Sequence, residues 1–120
     1  MHSVSVSQVF CKFQIEGIHN WPTCNIPEVE YLTHPHRHIF HFKAVIDVSH
    51  NDRDIEFIKL KHMLSNYLTT TYYDDRLKCC NFKHRSCEMI GQELGVKFKL
   101  TSIEVSEDDE NGCIIHFITD

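Results

Sequence analysis

The sequence predicts an α+β fold, with a four-stranded antiparallel sheet and two helices inserted between its second and third strands, in the order ββααββ. In four stretches apolar and polar residues alternate with the period of a half-buried strand, and in two others apolar residues recur at helical spacing. The length of 120 residues suits one core, so we expect residues 1–120 to form a single domain. The predicted strands are residues 4–15, 36–48, 98–107 and 113–119, and the predicted helices are residues 54–69 and 86–95.

The first strand, residues 4–15, carries apolar residues at every second position, with a change of phase near Gln8 that suggests a β-bulge. The segment that follows, residues 20–35, contains three prolines. Because proline lacks a backbone donor and fixes extended or turn geometry, we predict an irregular loop there.

The second strand, residues 36–48, has a clear inward face. Its even positions carry His36, His38 and then apolar side chains, whereas polar side chains such as Lys43 mark the other face. Side chains alternate along a strand, so the two histidines are predicted to share the inner face with the core residues.

The first helix, residues 54–69, is preceded by the turn residues Asn51 and Asp52. The second begins at Ser86, a good N-cap, and Gly95 is its predicted stop. The two last strands form a hairpin around the turn at residues 108–112. The stripes predicted to face the core are Phe57, Leu60, Leu64, Tyr67 and Leu68 in the first helix and Met89, Ile90 and Leu94 in the second.

Composition and charge exclude several classes of function. Residues 1–10 do not have the pattern of a signal peptide, and no stretch approaches the roughly 18 apolar residues of a membrane span, so we expect a cytoplasmic protein without membrane attachment. In such a protein the six cysteines are expected to be reduced thiols, and none forms a CxxC pair. A net charge of −5 argues against nucleic acid as a partner.

The histidines are the compositional outlier, with ten in the chain and five of them between residues 33 and 51. His36 and His38 on one face of a strand can converge on one metal ion, although His34 could equally pair with His36. His19 can join them if the first two strands pair as a hairpin. Three neutral imidazoles with an open position are typical of a catalytic zinc site. The alternative is that these histidines are solvated or hydrogen-bonded, and imidazole also suits other divalent metals.

Five short motifs resemble the tunnelling-fold family of 6-pyruvoyltetrahydropterin synthase and bacterial 6-carboxytetrahydropterin synthase. They are residues 15–19 for the first zinc histidine, 36–40 for the His-x-His-x-aromatic strand, 56–61 and 86–90 for the two helix starts, and 103–107 for a strand ending in a pterin-binding glutamate. The resemblance implies the tunnelling fold, Zn²⁺ held by His19, His36 and His38, and Glu107 as the ring-binding residue. It also implies a homo-oligomer, a trimer or hexamer. Residues 21–22 and 32–38 resemble a divergent branch of the family encoded by bacteriophages, which would place the protein in the host cytoplasm.

The chain departs from the family at its proton-transfer residues. The synthases place a cysteine base where this sequence has Leu32, and only a refolded loop could bring Cys24 to the substrate. Their Leu-Asp-His relay corresponds to residues 73–75, which keeps the aspartate as Asp74 but lacks the histidine, for which His84 is the candidate substitute. The predicted catalytic residues are therefore Asp74, His84 and Cys24.

Three functional hypotheses follow. The first is a zinc-dependent lyase or hydrolase acting on a pterin- or purine-like nucleotide. The second is a binding protein that has lost the proton relay and sequesters or senses a nucleobase-containing ligand, for example in phage counter-defence or nucleotide metabolism. In the third, the histidine cluster only stabilises an oligomer, and the candidate ring-binding residue Glu107 weighs against it.

Overall fold

The computed structural model describes residues 5–118, which form a six-stranded mixed sheet with two α-helices and one short 3-10 helix. The strands lie in the order β3-β4-β1-β2-β5-β6 across the sheet. The α+β class is confirmed, whereas the four-stranded sheet is wrong by two strands. The elements are β1 (Ser7–His19), the 3-10 helix (Pro27–Thr33), β2 (His36–Val48), α1 (Phe57–Tyr72), β3 (Tyr73–Asp74), β4 (Cys79–Lys83), α2 (Cys87–Phe98), β5 (Ser102–Glu107) and β6 (Asn111–His116).

The long hairpin of β1 and β2 is the centre of the sheet. Its antiparallel register pairs all thirteen residues of each strand, from Ser7 opposite Val48 to His19 opposite His36. The bulge predicted near Gln8 is wrong, because this register is unbroken and the apolar Val6 simply faces outward, with 83% of its surface exposed. The predicted start of this strand at residue 4 lies outside the described residues.

The two strands that the sequence did not predict lie beside β1. Strand β4 runs parallel to β1, and β3 pairs antiparallel with β4. With two and five residues, they are too short for a convincing alternation pattern. The apolar Cys80 and Phe82, two residues apart and both buried, are the sequence signal that could have identified β4.

Helix α1 begins later than predicted. The side chain of Glu56 caps it by accepting hydrogen bonds from the N–H groups of Ile58 and Lys59. Its buried residues are three leucines spaced four apart, and Phe57 lies in the first turn ahead of them. The prediction of Phe57 as a core residue is wrong, because 49% of its surface is exposed.

Helix α2 begins as predicted, with the Ser86 hydroxyl accepting a hydrogen bond from the Met89 N–H. Its predicted stop at Gly95 is wrong, since the helix runs to Phe98 and ends at Lys99 in the left-handed region (φ 54°). Gly95 instead allows close packing against the ring of Phe117, because there is no space for a Cβ atom. The prediction that Met89 faces the core is also wrong, since it is half-exposed.

The terminal hairpin is tighter than predicted. Strand β5 begins at Ser102 rather than at residue 98, and Glu107 pairs with Asn111, which leaves a three-residue loop at residues 108–110. The predicted end of the last strand at residue 119 lies outside the described residues. Among residues 5–118, no helix has both the length and the apolar character needed to cross a membrane.

The core packs tightly around Gly17 of β1. A Cβ atom added there would lie 2.5 Å from Cε2 of Phe82 and 3.1 Å from Cε2 of Phe40, and both rings are fully buried. We therefore expect Gly17→Ala to destabilise the chain by about 1–3 kcal/mol, although alanine is ordinarily the better strand residue. Urea unfolding measures this loss. The control Gln14→Ala, on the exposed face of the same strand, should change stability by less than about 0.5 kcal/mol; equal stability of the two variants would contradict the predicted overpacking.

Candidate metal centre

Three histidines and one glutamate meet at the end of the β1–β2 hairpin. His19, the last residue of β1, pairs with His36, the first residue of β2, and His38 follows on the same inner face. Glu107, at the end of β5, pairs with Phe40 and so lies beside His38. One potential ligand atom from each of the four side chains lies within 4.8 Å of the other three. The structure thus brings together the three histidines predicted as metal ligands.

The ring orientations of the three histidines are fixed by oxygen atoms. Nδ1 of His19 lies 2.9 Å from the carbonyl oxygen of Arg85, and Nδ1 of His36 lies 2.8 Å from that of His34. Nδ1 of His38 lies 2.7 Å from Oδ2 of Asp108. An oxygen acceptor at Nδ1 favours the tautomer with its proton there, which leaves the Nε2 lone pair free for a metal ion. His34 contacts the cluster only through its backbone carbonyl, and its side chain is not part of the cluster. The alternative in which His34 and His36 bind the metal as a pair is therefore wrong.

Two of the free nitrogen atoms are buried without a partner. Nε2 of His19 and Nε2 of His38 have no hydrogen-bond partner among the described residues. Oε2 of Glu107 lies 2.8 Å from the first and 3.6 Å from the second, but neither pair has hydrogen-bond geometry. Unpaired buried polar atoms are costly and rare. A cation between these atoms would satisfy both nitrogens, so the residues fit a metal ion.

The contacts of His19 and Glu107 also shift the pKa values of these two side chains. Burial disfavours the charged form of His19, but the Glu107 carboxylate and the Arg85 carbonyl outweigh burial and raise the pKa of His19. The pKa of Glu107 is lowered, first by His19 and then by the charges of His38 and His36, against the opposing effect of burial. Both shifts favour the charged forms of the two side chains. A divalent cation and a proton compete for the same imidazole nitrogen, so we expect zinc affinity to fall as the pH is lowered.

Asp108 is a residue of the candidate centre that the sequence did not reveal, because its position in the predicted turn suggests only turn formation. Its Oδ2 accepts from His38, and its Oδ1 accepts from the N–H of Ile39 at 2.9 Å. Its own N–H donates to the carbonyl of Ile39 at 2.8 Å. Two hydrogen bonds to the backbone of Ile39 thus hold the carboxylate against the imidazole. Only the pairing of β2 with β5, some 70 residues apart, creates this contact.

We expect Asp108→Asn to weaken zinc binding by about 10–100-fold, the usual cost of losing an outer-shell partner of a metal ligand. With the amide oxygen bonded to the Ile39 N–H, the amide NH₂ faces Nδ1 of His38 and favours the tautomer that protonates Nε2. Competition with a chromophoric chelator measures the affinity. The control Asp109→Asn removes the same charge from the next, exposed residue and should leave the affinity unchanged; equal losses would mean that only overall charge matters.

A cavity of about 530 Å³ adjoins the centre, within the size range of small-molecule sites. Its wall combines apolar side chains with polar groups at the start of α2. The lining residues are His19, Asn20, Trp21, Leu32, His36, His84, Arg85, Ser86, Cys87, Glu88, Met89, Glu107, Asn111 and Gly112.

The three residues predicted to be catalytic occupy different places. The exposed His84 lines the cavity. The thiol of Cys24 is directed at the carbonyl of Val29, with 3.6 Å between sulfur and oxygen. The carboxylate of Asp74 accepts hydrogen bonds from the backbone of its own turn. Neither Cys24 nor Asp74 is among the residues that line the cavity.

Cys87 is a cavity residue that the sequence analysis did not identify. It begins α2 and is buried, and that burial, helped by the negative charge of Glu107, raises the pKa of its thiol to about 12. This shift disfavours the thiolate, which is the nucleophilic and basic form of cysteine.

The mixed sheet, the two helices and the His-Glu cluster define an α+β protein with a candidate metal centre at one end of its sheet. A scan against protein-family models finds no match, and a search of curated proteins finds none either. Among solved structures, 6-pyruvoyl tetrahydropterin synthase from Caenorhabditis elegans is similar, with a TM-score of 0.69 and 12% sequence identity, over 98% of this chain and 100% of that chain. The chain therefore has the fold of that synthase, as the motifs predicted. The comparisons do not support the predicted phage origin.

Proposed function

We propose that the chain binds one Zn²⁺ through His19, His36 and His38 and takes a pterin- or purine-like nucleotide in the adjoining cavity. The observation that carries this proposal is the arrangement of the three imidazoles, each with Nδ1 held by an oxygen and Nε2 left for a common ion. The fold shared with 6-pyruvoyl tetrahydropterin synthase supports the class of ligand.

The cavity wall suits a flat, polar ring. Trp21 and Met89 are each about half-exposed and supply apolar contact area, while Asn20 and Glu88 supply hydrogen-bonding groups. A zinc ion bound here would polarise a substrate oxygen or lower the pKa of a bound water. For proton transfer, His84 is the cavity histidine that is not among the three assigned to the metal.

A second candidate function is binding without turnover, in which the protein sequesters or senses a nucleobase-containing ligand. It is favoured by the side chains around the cavity. Leu32, at the position that the family resemblance assigns to a cysteine base, lines the cavity, and Asp74 accepts hydrogen bonds within its own turn. This version leaves the metal centre and the ring pocket intact and removes only the proton relay.

Incubation of the zinc-loaded chain with dihydroneopterin triphosphate and related nucleotides, followed by mass spectrometry, tests both candidates. A new product that His84→Ala diminishes supports the enzyme, whereas unchanged nucleotide recovered with the protein supports the binding protein. The control His62→Ala, at an exposed position of α1, should behave as the wild type. A chain that neither retains nor converts any of these nucleotides would contradict the proposed ligand class.

The proposal includes a homo-oligomer of three or six copies in the cytoplasm. The sheet of one chain has β3 and β6 at its two edges, and the exposed Tyr73 and Ile114 lie on these strands. Unpaired edges favour association with another strand. Light scattering coupled to size-exclusion chromatography measures the number of copies.

A further inference from the structure

We propose that Glu107 is the fourth protein ligand of the metal, so that the centre is closed when no small molecule is bound. The inference rests on the proposed three-histidine site. It gives Glu107 a role different from the ring binding that the family resemblance implies.

The position of Glu107 is set by the sheet. It continues the inward row of Ile103 and Val105, both fully buried, and it is the last residue of β5. It pairs with Phe40, two residues from His38, on the neighbouring strand. Regular pairing of β5 with β2 thus places the carboxylate beside the histidines. Because it lies on a paired strand, its position is rigid, as a metal ligand requires.

The distances fit a shared ion. With Zn–N and Zn–O bonds of about 2.0–2.2 Å, tetrahedral ligand atoms lie about 3.4 Å apart. Oε2 of Glu107 lies 2.8 Å and 3.6 Å from Nε2 of His19 and His38, and no ligand atom of the cluster is more than 4.8 Å from another. The carboxylate oxygen occupies the place of a fourth ligand.

A simple ion pair between Glu107 and His19 explains less. Their atoms are close but lack hydrogen-bond geometry, and Nε2 of His38 would remain buried and unpaired. A cation bound to all four side chains satisfies both nitrogen atoms and the carboxylate at once. The closed centre then has no water ligand, and an incoming molecule has to displace Glu107 or add a fifth ligand.

The cobalt(II)-substituted chain of residues 1–120 tests the inference, because azide binding to an open cobalt position changes the visible absorption. We expect the isosteric Glu107→Gln to weaken zinc binding by about 100-fold or more. This exceeds the roughly 10–100-fold loss that is usual when a residue that only hydrogen-bonds to a metal ligand is replaced. Glu107→Ala should bind azide at least about tenfold more tightly than the wild type, because it opens a coordination position. The control Glu104→Gln changes an outward-facing carboxylate of the same strand and should match the wild type in both readouts.

Zinc affinity and azide affinity that are unchanged in the Glu107 variants would overturn the inference and leave the three-histidine site standing. A wild-type chain that binds neither zinc nor cobalt would overturn both the inference and the proposed function. Weaker zinc binding together with tighter azide binding supports Glu107 as the fourth ligand.

Discussion

Replacing His38 with alanine is expected to weaken zinc binding by more than about 100-fold, since the loss of a direct ligand exceeds the usual 10–100-fold cost of losing an outer-shell partner. The change removes one of three converging imidazoles and also leaves the carboxylate of Asp108 without the imidazole that it contacts. Elemental analysis after dialysis against a weak chelator measures the bound zinc. The variant should lose it, while the wild type should retain it.

His41→Ala is the matched control for this experiment. His41 lies on the same strand three residues further along, so its side chain points to the opposite face of the sheet. It pairs in the sheet register with Gln14 and Ser106. It should retain zinc like the wild type. Equal zinc contents in His38→Ala and His41→Ala would show that the ligands were assigned wrongly.

The second large effect is expected for Phe40→Ala, which should destabilise the chain by about 3–5 kcal/mol. Phe40 is fully buried, and its ring makes edge contacts with Phe82, His19 and His38 at centroid distances of 5.0, 5.1 and 5.9 Å. The ring therefore supports two histidines of the candidate metal centre as well as the core. Its loss should reduce both the free energy of unfolding and the zinc affinity.

Urea unfolding of the metal-free chain separates these two effects. Phe40→Leu keeps most of the apolar volume and should fold even where the alanine variant does not, with a smaller loss of stability. Phe57→Ala, at a half-exposed position, should cost less than about 1 kcal/mol. If Phe40→Ala loses no more unfolding free energy than Phe57→Ala, the packing described around Phe40 is contradicted.

The parts of the fold with one buried face could be predicted from the sequence. Strand β2 begins and ends at the predicted residues, because every second side chain along it faces the core. The same alternation placed His36 and His38 on one side. The N-cap of α2 at Ser86 was predicted correctly because its hydroxyl satisfies a backbone donor that the helix leaves free.

The remaining features depend on contacts between distant parts of the chain. Strand β4 is recognisable only once it lies beside β1, and Asp108 contacts His38 only because β5 pairs with β2. The tight packing of Gly95 against Phe117 likewise has no local sequence signal, and glycine was therefore taken as a helix stop. Local patterns fix strands and caps, whereas register and close packing require the folded chain.

The proposed metal centre is best tested by the zinc content of the untagged wild-type chain, purified without added metal and measured by elemental analysis. We expect about one zinc per chain, since three oriented imidazoles converge with a carboxylate on one point. A folded chain that contains no stoichiometric metal and takes up none when zinc is added would contradict it.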